Sequence, residues 1–137
     1  MNWEEFEQKV GMVLSNYGFT YSEAMIYWRK TVRHIWTNSS MMPGKPDAVF
    51  EYTYDEDRRN IYISYYSIMY HYSPSGQHSI TGKNYDQRYK ETDIKKFKWE
   101  TLEKWAKCQQ ETVSMARKLY KEYEIEKKMK AAAKDFK

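Results

Sequence analysis

Hydrophobic residues near the N-terminus recur every three or four positions, which is the spacing of one face of a helix. We predict a helix over residues 2–17, because its apolar residues share one face: Trp3, Phe6, Val10, Val13, Leu14 and Tyr17. Asn2 with Glu5 three residues later is typical of a capping box, and Gly18 suits the position after a helix end.

The same spacing continues over residues 21–37, where we predict a second helix. Thr20 with Glu23 repeats the capping pattern, and the apolar face consists of Met25, Trp28, Val32, Ile35 and Trp36. Two helices joined by so short a connection are expected to pack as an N-terminal helical hairpin.

After a loop over residues 37–47, the pattern changes to the alternation of β-strands. Residues 48–54 and 61–72 are rich in β-branched and aromatic side chains, and a polar turn separates them. We predict a Tyr-rich antiparallel β-hairpin or small sheet. In its second strand Tyr65 and the isoleucines are expected to face the core, and the opposite face carries Tyr62, Tyr66, Tyr70 and Tyr72.

A polar segment over residues 73–84 is interpreted as a loop, and residues 93–130 are predicted to form one long helix. Its apolar stripe contains two polar members, Gln109 and Thr112, so it differs from an all-apolar coiled-coil seam. The chain is therefore expected to be a single α+β domain over residues 1–137, with a frayed or solvated Lys-rich C-terminal end.

The composition of the chain argues against secreted, disulfide-linked and membrane-spanning classes of protein. Aromatic residues make up 18% of the chain, including 14 tyrosines, and the net charge is +4. The single cysteine, Cys108, excludes an intramolecular disulfide and fits a reducing cytosol. The acidic N-terminus has no apolar signal-peptide core, and no apolar run is long enough to span a bilayer. We expect a soluble, cytoplasmic protein that does not bind membranes.

The sequence offers little for catalysis, so we expect no enzyme, cofactor or metal site. Five residues separate Gly76 from Gly82 where a phosphate-binding loop has four, and Asn84 stands where that loop has Ser or Thr. His71 and His78 lie near each other but lack the ligand spacing of a metal site. A histidine-dependent enzyme that uses these two residues is the least favoured alternative.

Two features favour binding instead. The predicted second helix carries like-charged pairs one turn apart, Arg29 with Arg33 and Lys30 with His34, which either have acidic neighbours or bind an anion. The tyrosine strand is the second feature, because tyrosines on a sheet surface stack nucleic-acid bases or contact proteins.

We therefore expect a small non-catalytic binding protein with a protein or nucleic-acid partner. Its predicted contacts are the basic helix faces together with Tyr62, Tyr66, Tyr70, Tyr72, His71 and His78. On composition alone, the specific function that we favour is that of a phage or mobile-element protein that inhibits a nucleic-acid enzyme. The alternative is a nucleotide-sequestering protein in which Arg29, Arg33 or Arg88 holds phosphate. Sheet edges also favour a homodimer or higher homo-oligomer.

Overall fold

A computed structural model describes residues 1–26, 31–42, 44–72 and 78–135, except for the side chains of Tyr72, His78 and Asp135. The fold is α+β, as predicted, with two helices and a five-stranded antiparallel sheet. In chain order the elements are helix α1 (Trp3–Ser15), strands β1 (Thr20–Ile26), β2 (Thr31–Asn38), β3 (Ala48–Tyr54), β4 (Asn60–Tyr72) and β5 (His78–Lys90), a 3-10 helix (Glu91–Lys96) and helix α2 (Trp99–Asp135).

Helix α1 forms where the sequence predicts it. The Asn2 side chain accepts a hydrogen bond from Glu5 N at 2.8 Å, which caps the helix, and Gly18 adopts a positive φ of 80° just beyond its end. The buried face of the helix is formed by Trp3, Phe6, Val10 and Leu14.

The predicted second helix over residues 21–37 is wrong. Its described residues, 21–26 and 31–37, lie in strands β1 and β2, which pair antiparallel from Thr20↔Thr37 to Ile26↔Thr31. Trp36 lies opposite Phe50 in β3, so the aromatic core of the neighbouring strand stabilises an extended β2. Sheet packing therefore outweighs a helical spacing in a segment whose β-branched residues already favour strands.

The strands follow one another in a simple meander, in the order β1-β2-β3-β4-β5. The hairpin strands predicted over residues 48–54 and 61–72 are confirmed. The predicted loop over residues 73–84 is wrong from residue 78 onward, because β5 begins there and pairs with β4 along its whole length. The predicted long helix begins later than expected, at Trp99, after the 3-10 helix.

Both helices pack on one face of the sheet, which we call the inner face. Phe6 of α1 contacts Tyr52, and Trp105 of α2 contacts Phe50 and Tyr65, with ring centroids 5.2–6.3 Å apart. Tyr65 is buried as expected, together with Ile61 and Ile63. Most of the aromatic side chains that the structure describes therefore lie in the core or pack against it.

The hairpin of β4 and β5 extends past the end of β3. The last β3–β4 pair is Val49↔Tyr66, and Ile68 is the next β4 residue whose N–H points towards the β3 side. Gln109 Oε1 of α2 accepts a hydrogen bond from this N–H at 2.8 Å, and Ser67 Oγ accepts one from Trp105 Nε1 at 2.8 Å. Helix α2 thus completes the hydrogen bonding where the neighbouring strand ends.

Candidate functional site: the open face of the sheet

The face opposite the helices, which we call the open face, is formed by the strand residues that alternate with the core residues. Cross-strand pairing brings Tyr62 opposite both Thr53 and Arg88, and Tyr66 opposite both Val49 and Asn84. Tyr62 is 42% exposed and Tyr66 is 39% exposed, although their neighbours Ile61 and Tyr65 are buried. Strand alternation therefore separates the tyrosines as the sequence predicted.

A glycine orients the ring of Tyr66. A Cβ atom placed on Gly82 would lie 2.8 Å from Cε1 and Oη of Tyr66, so the ring lies directly against the backbone of β5. Glycine in a strand often marks such a close approach, because a side chain there would displace the ring. One surface of the ring is held against the strand, and the ring remains partly accessible on the open face.

A cation–π contact orients the second exposed ring. The Arg88 guanidinium lies over the Tyr62 ring, 5.5 Å from its centroid. Tyr62 and Tyr66 are four residues apart on one strand, about 13 Å at the usual strand rise. The open face therefore presents two tyrosine rings that are already positioned by neighbouring residues.

Charges of both signs lie on the open face. Arg33 Nε is 3.6 Å from Glu51 Oε2, and Ser64 Oγ donates a hydrogen bond to Asp86 Oδ1 at 2.5 Å. Arg33 therefore belongs to this face and is partly neutralised, rather than lying on a basic helix. Arg29 and Lys30 lie outside the described residues, so their binding of an anion stays a prediction.

The remaining predicted contact residues lie towards the tip of the β4–β5 hairpin. Tyr70 is half-buried, and His71 is exposed with its Nε2 2.8 Å from Thr81 Oγ1. Tyr72 and His78 face each other in the strand register, and their side chains are not among the described parts of the structure. The structure thus brings Tyr62, Tyr66, Arg33 and Arg88 onto one surface. His71 shares the alternation of Tyr65 and so lies on the other side of the hairpin.

The inner face carries a polar cluster that sequence reasoning missed. His34 stacks on Tyr52 with centroids 4.6 Å apart, and its Nδ1 lies 2.6 Å from Tyr21 Oη. The Tyr21 hydroxyl donates to Glu23 Oε1 at 2.6 Å, while Glu7 Oε1 approaches His34 Nε2 at 3.6 Å. This cluster was missed because we predicted a helix over residues 21–37, whereas the pairing of β1 with β2 sets Glu23 opposite His34.

A cleft of about 650 Å³ opens beside this cluster. Its described lining includes three carboxylates, from Glu23, Asp55 and Glu56, and the cations are Arg58 and, when protonated, His34. Hydrogen bonds from Asn60, first from its side chain, lower the pKa of the Asp55 carboxyl. A lining of this charge suits a positively charged group better than a phosphate.

Burial raises the pKa of the inner-face tyrosines above its usual value. For Tyr52 and Tyr54 desolvation is the largest cause, and the nearby Glu7 carboxylate adds to it. For Tyr65 desolvation is again the largest cause. These phenols are therefore neutral at physiological pH, and their rings pack in the core.

Within the described ranges, no group of three or more His, Cys, Asp and Glu side chains could hold a metal ion. In the same part of the chain, no helix is both long and apolar enough to cross a membrane. Comparison of the chain with protein-family models, curated proteins and solved structures finds no significant match.

Proposed function

We propose that this chain is a non-catalytic binding protein that contacts a protein partner through the open face of its sheet. The observation that carries the proposal is the pair of exposed, oriented tyrosines, Tyr62 and Tyr66, on the face opposite both helices. Tyrosine offers a large amphipathic contact area at low entropic cost, and tyrosine and arginine are enriched at protein interfaces.

The charge pattern favours a protein over a nucleic acid. A nucleic-acid surface needs cations that are free to meet phosphates, and its affinity falls steeply with salt. On the open face, Arg33 pairs with Glu51, and Asp86 lies within two residues of Arg88. Such a mixed face suits a partner that presents both charged and apolar groups.

Nucleotide sequestration is the second candidate, because the accessible side of the Tyr66 ring is able to stack on a base. Inhibition of a nucleic-acid enzyme stays a prediction from composition.

A photo-crosslinking amino acid at position 66 tests the proposal in cells that produce the protein. The matched control carries the same amino acid at position 123, an exposed tyrosine on α2 that lies C-terminal to the last buried residue of the helix, Ala116. We expect position 66, and not position 123, to give an adduct with a different protein. The adducted protein should then lose binding to a folded Tyr62→Ser/Tyr66→Ser variant.

Thermal-shift measurements with nucleotides and with single- and double-stranded oligonucleotides separate the alternatives. A shift with oligonucleotides that disappears at higher salt would replace the protein partner with a nucleic acid. A salt-resistant shift with a mononucleotide would favour sequestration. Equal crosslinking from positions 66 and 123 would refute the open face as the binding surface.

A further inference from the structure

Among the described residues, no strand pairs with the outer edge of β5, so this long strand presents free backbone groups there. β5 is the last strand of the sheet and has 13 residues, whereas β1 at the other edge has seven. Glu91 N donates to Arg59 O at 2.8 Å, and the β4–β5 register is unbroken. Because hydrogen-bonded pairs alternate, odd-numbered β5 residues pair with β4, and even-numbered residues direct N–H and C=O outwards.

We propose that β5 pairs antiparallel with β5 of a second copy of this chain, in the register that sets Asp86 opposite Arg88. The twofold axis then passes through Gln87, and each copy contributes one Asp86 and one Arg88 to two symmetric charge pairs. Asp86 and Arg88 are both even-numbered, so their outward backbone groups are in phase for hydrogen bonding with the second copy.

Charge selects this register over its neighbours. If the second copy is moved by two residues along the strand in one direction, Asp86 lies opposite Asp86 of that copy. If it is moved by two residues in the other direction, Arg88 lies opposite Arg88 of that copy. Like charges directly opposite each other destabilise a strand pair.

Side chains on the inner face support the same register. It sets Tyr85, which is 59% exposed in a single copy, opposite Tyr89 of the second copy. Gln87 lies opposite itself as a non-hydrogen-bonded pair, in which side chains approach most closely. Gln87 Oε1 is buried without a hydrogen-bond partner among the described residues, and the amide of the second Gln87 offers a donor.

The proposed dimer would join two sheets into one continuous sheet with about eight new backbone hydrogen bonds. A twofold axis perpendicular to the sheet leaves both open faces on the same side. The inference does not depend on the proposed function, because it concerns the edge of the sheet and a second copy.

Sedimentation equilibrium of the full chain tests the dimer. We expect wild-type protein to dimerise, and Arg88→Asp or Asp86→Arg alone to weaken the dimer about tenfold, since each variant replaces two attractions by two repulsions. The double variant Asp86→Arg/Arg88→Asp should recover wild-type affinity. Lys118→Glu, an equal charge reversal on the exposed side of α2, is the matched control and should dimerise normally.

A proline variant tests the backbone pairing separately. Asn84→Pro removes an N–H that points away from β4, so the monomer should fold normally, as circular dichroism would verify, and should not dimerise. A wild-type monomer at the highest soluble concentration would overturn the proposal. A charge-swapped double variant no tighter than its single parents, or a dimer that persists in folded Asn84→Pro, would also overturn it.

Discussion

Replacing Gln109 with Met tests how helix α2 completes the end of the sheet. Met is close to Gln in volume but lacks the carbonyl oxygen that accepts from Ile68 N–H at 2.8 Å. Since this hydrogen bond is buried, the substitution strands a backbone donor away from water. An orphaned buried donor costs about 1–3 kcal/mol, so the free energy of unfolding should fall by that amount.

The assay is urea unfolding at neutral pH, with Gln110→Met as the matched control. Gln110 is the next residue of α2 and is half-buried, so its substitution changes composition equally without removing the bond to Ile68. We expect Gln109→Met to lower Tm by about 4 °C for each kcal/mol lost, with an unchanged m-value. Amide exchange of Ile68 should accelerate more than that of core amides in β3.

Two results would refute this account of the sheet end. One is a Gln109→Met unfolding free energy within about 0.5 kcal/mol of Gln110→Met, which is the range of ordinary surface substitutions. The other is unchanged protection of the Ile68 amide in a folded Gln109→Met protein. Either result would mean that another group or water satisfies the donor.

Three further predictions concern the core and the surface. Burial raises the folded-state pKa of Tyr52 and Tyr65, so their contribution to the free energy of unfolding is complete below pH 10 and falls above it. The loss should reach up to about 1.4 kcal/mol per phenol and pH unit. Urea unfolding measured at increasing alkaline pH checks this, and a free energy of unfolding that does not change with pH would contradict it. Gly82→Ala should shift the Tyr66 ring resonances in NMR spectra while costing less than about 1 kcal/mol, because a surface ring moves readily. Truncation before Ile125 should leave Tm unchanged in calorimetry, because residues 125–134 are exposed, and a lower Tm would reveal a contact there.

The sequence predicted well those elements whose two faces differ. Helix α1 has one apolar stripe and a capping residue. β3 alternates between buried and half-buried positions, and β4 alternates between buried and more accessible positions as far as Tyr66. The pattern alone therefore separated Tyr62 and Tyr66 from Tyr65, but it also put Tyr70, which is half-buried, on the contact surface. Even Gln109 was visible as a polar residue in an apolar stripe, although its partner on β4 required the fold.

The predictions from sequence were wrong for the strands whose two faces are almost equally exposed to solvent. Thr31–Thr37 in β2 is half-buried throughout, so no alternation competes with its helical spacing. Most of β5 is exposed, and its polar residues resemble those of a loop, because an edge strand meets the core along only part of its length. The cluster around His34 depends on the pairing of β1 with β2, so the predictions from sequence, which did not include β2, could not include the cluster either.

The meander topology has a consequence for folding kinetics. Every strand pairs with its neighbour in sequence, so the residues that pair in the sheet are separated by short stretches of chain. Such local contacts cost little loop-closure entropy and favour rapid formation of successive hairpins. By contrast, Phe6 meets Phe97 and Trp99 across more than 90 residues. We therefore expect the sheet to form early and the docking of α1 against the segment that leads into α2 to follow. Substitutions at Phe6 should then accelerate unfolding more than they slow folding.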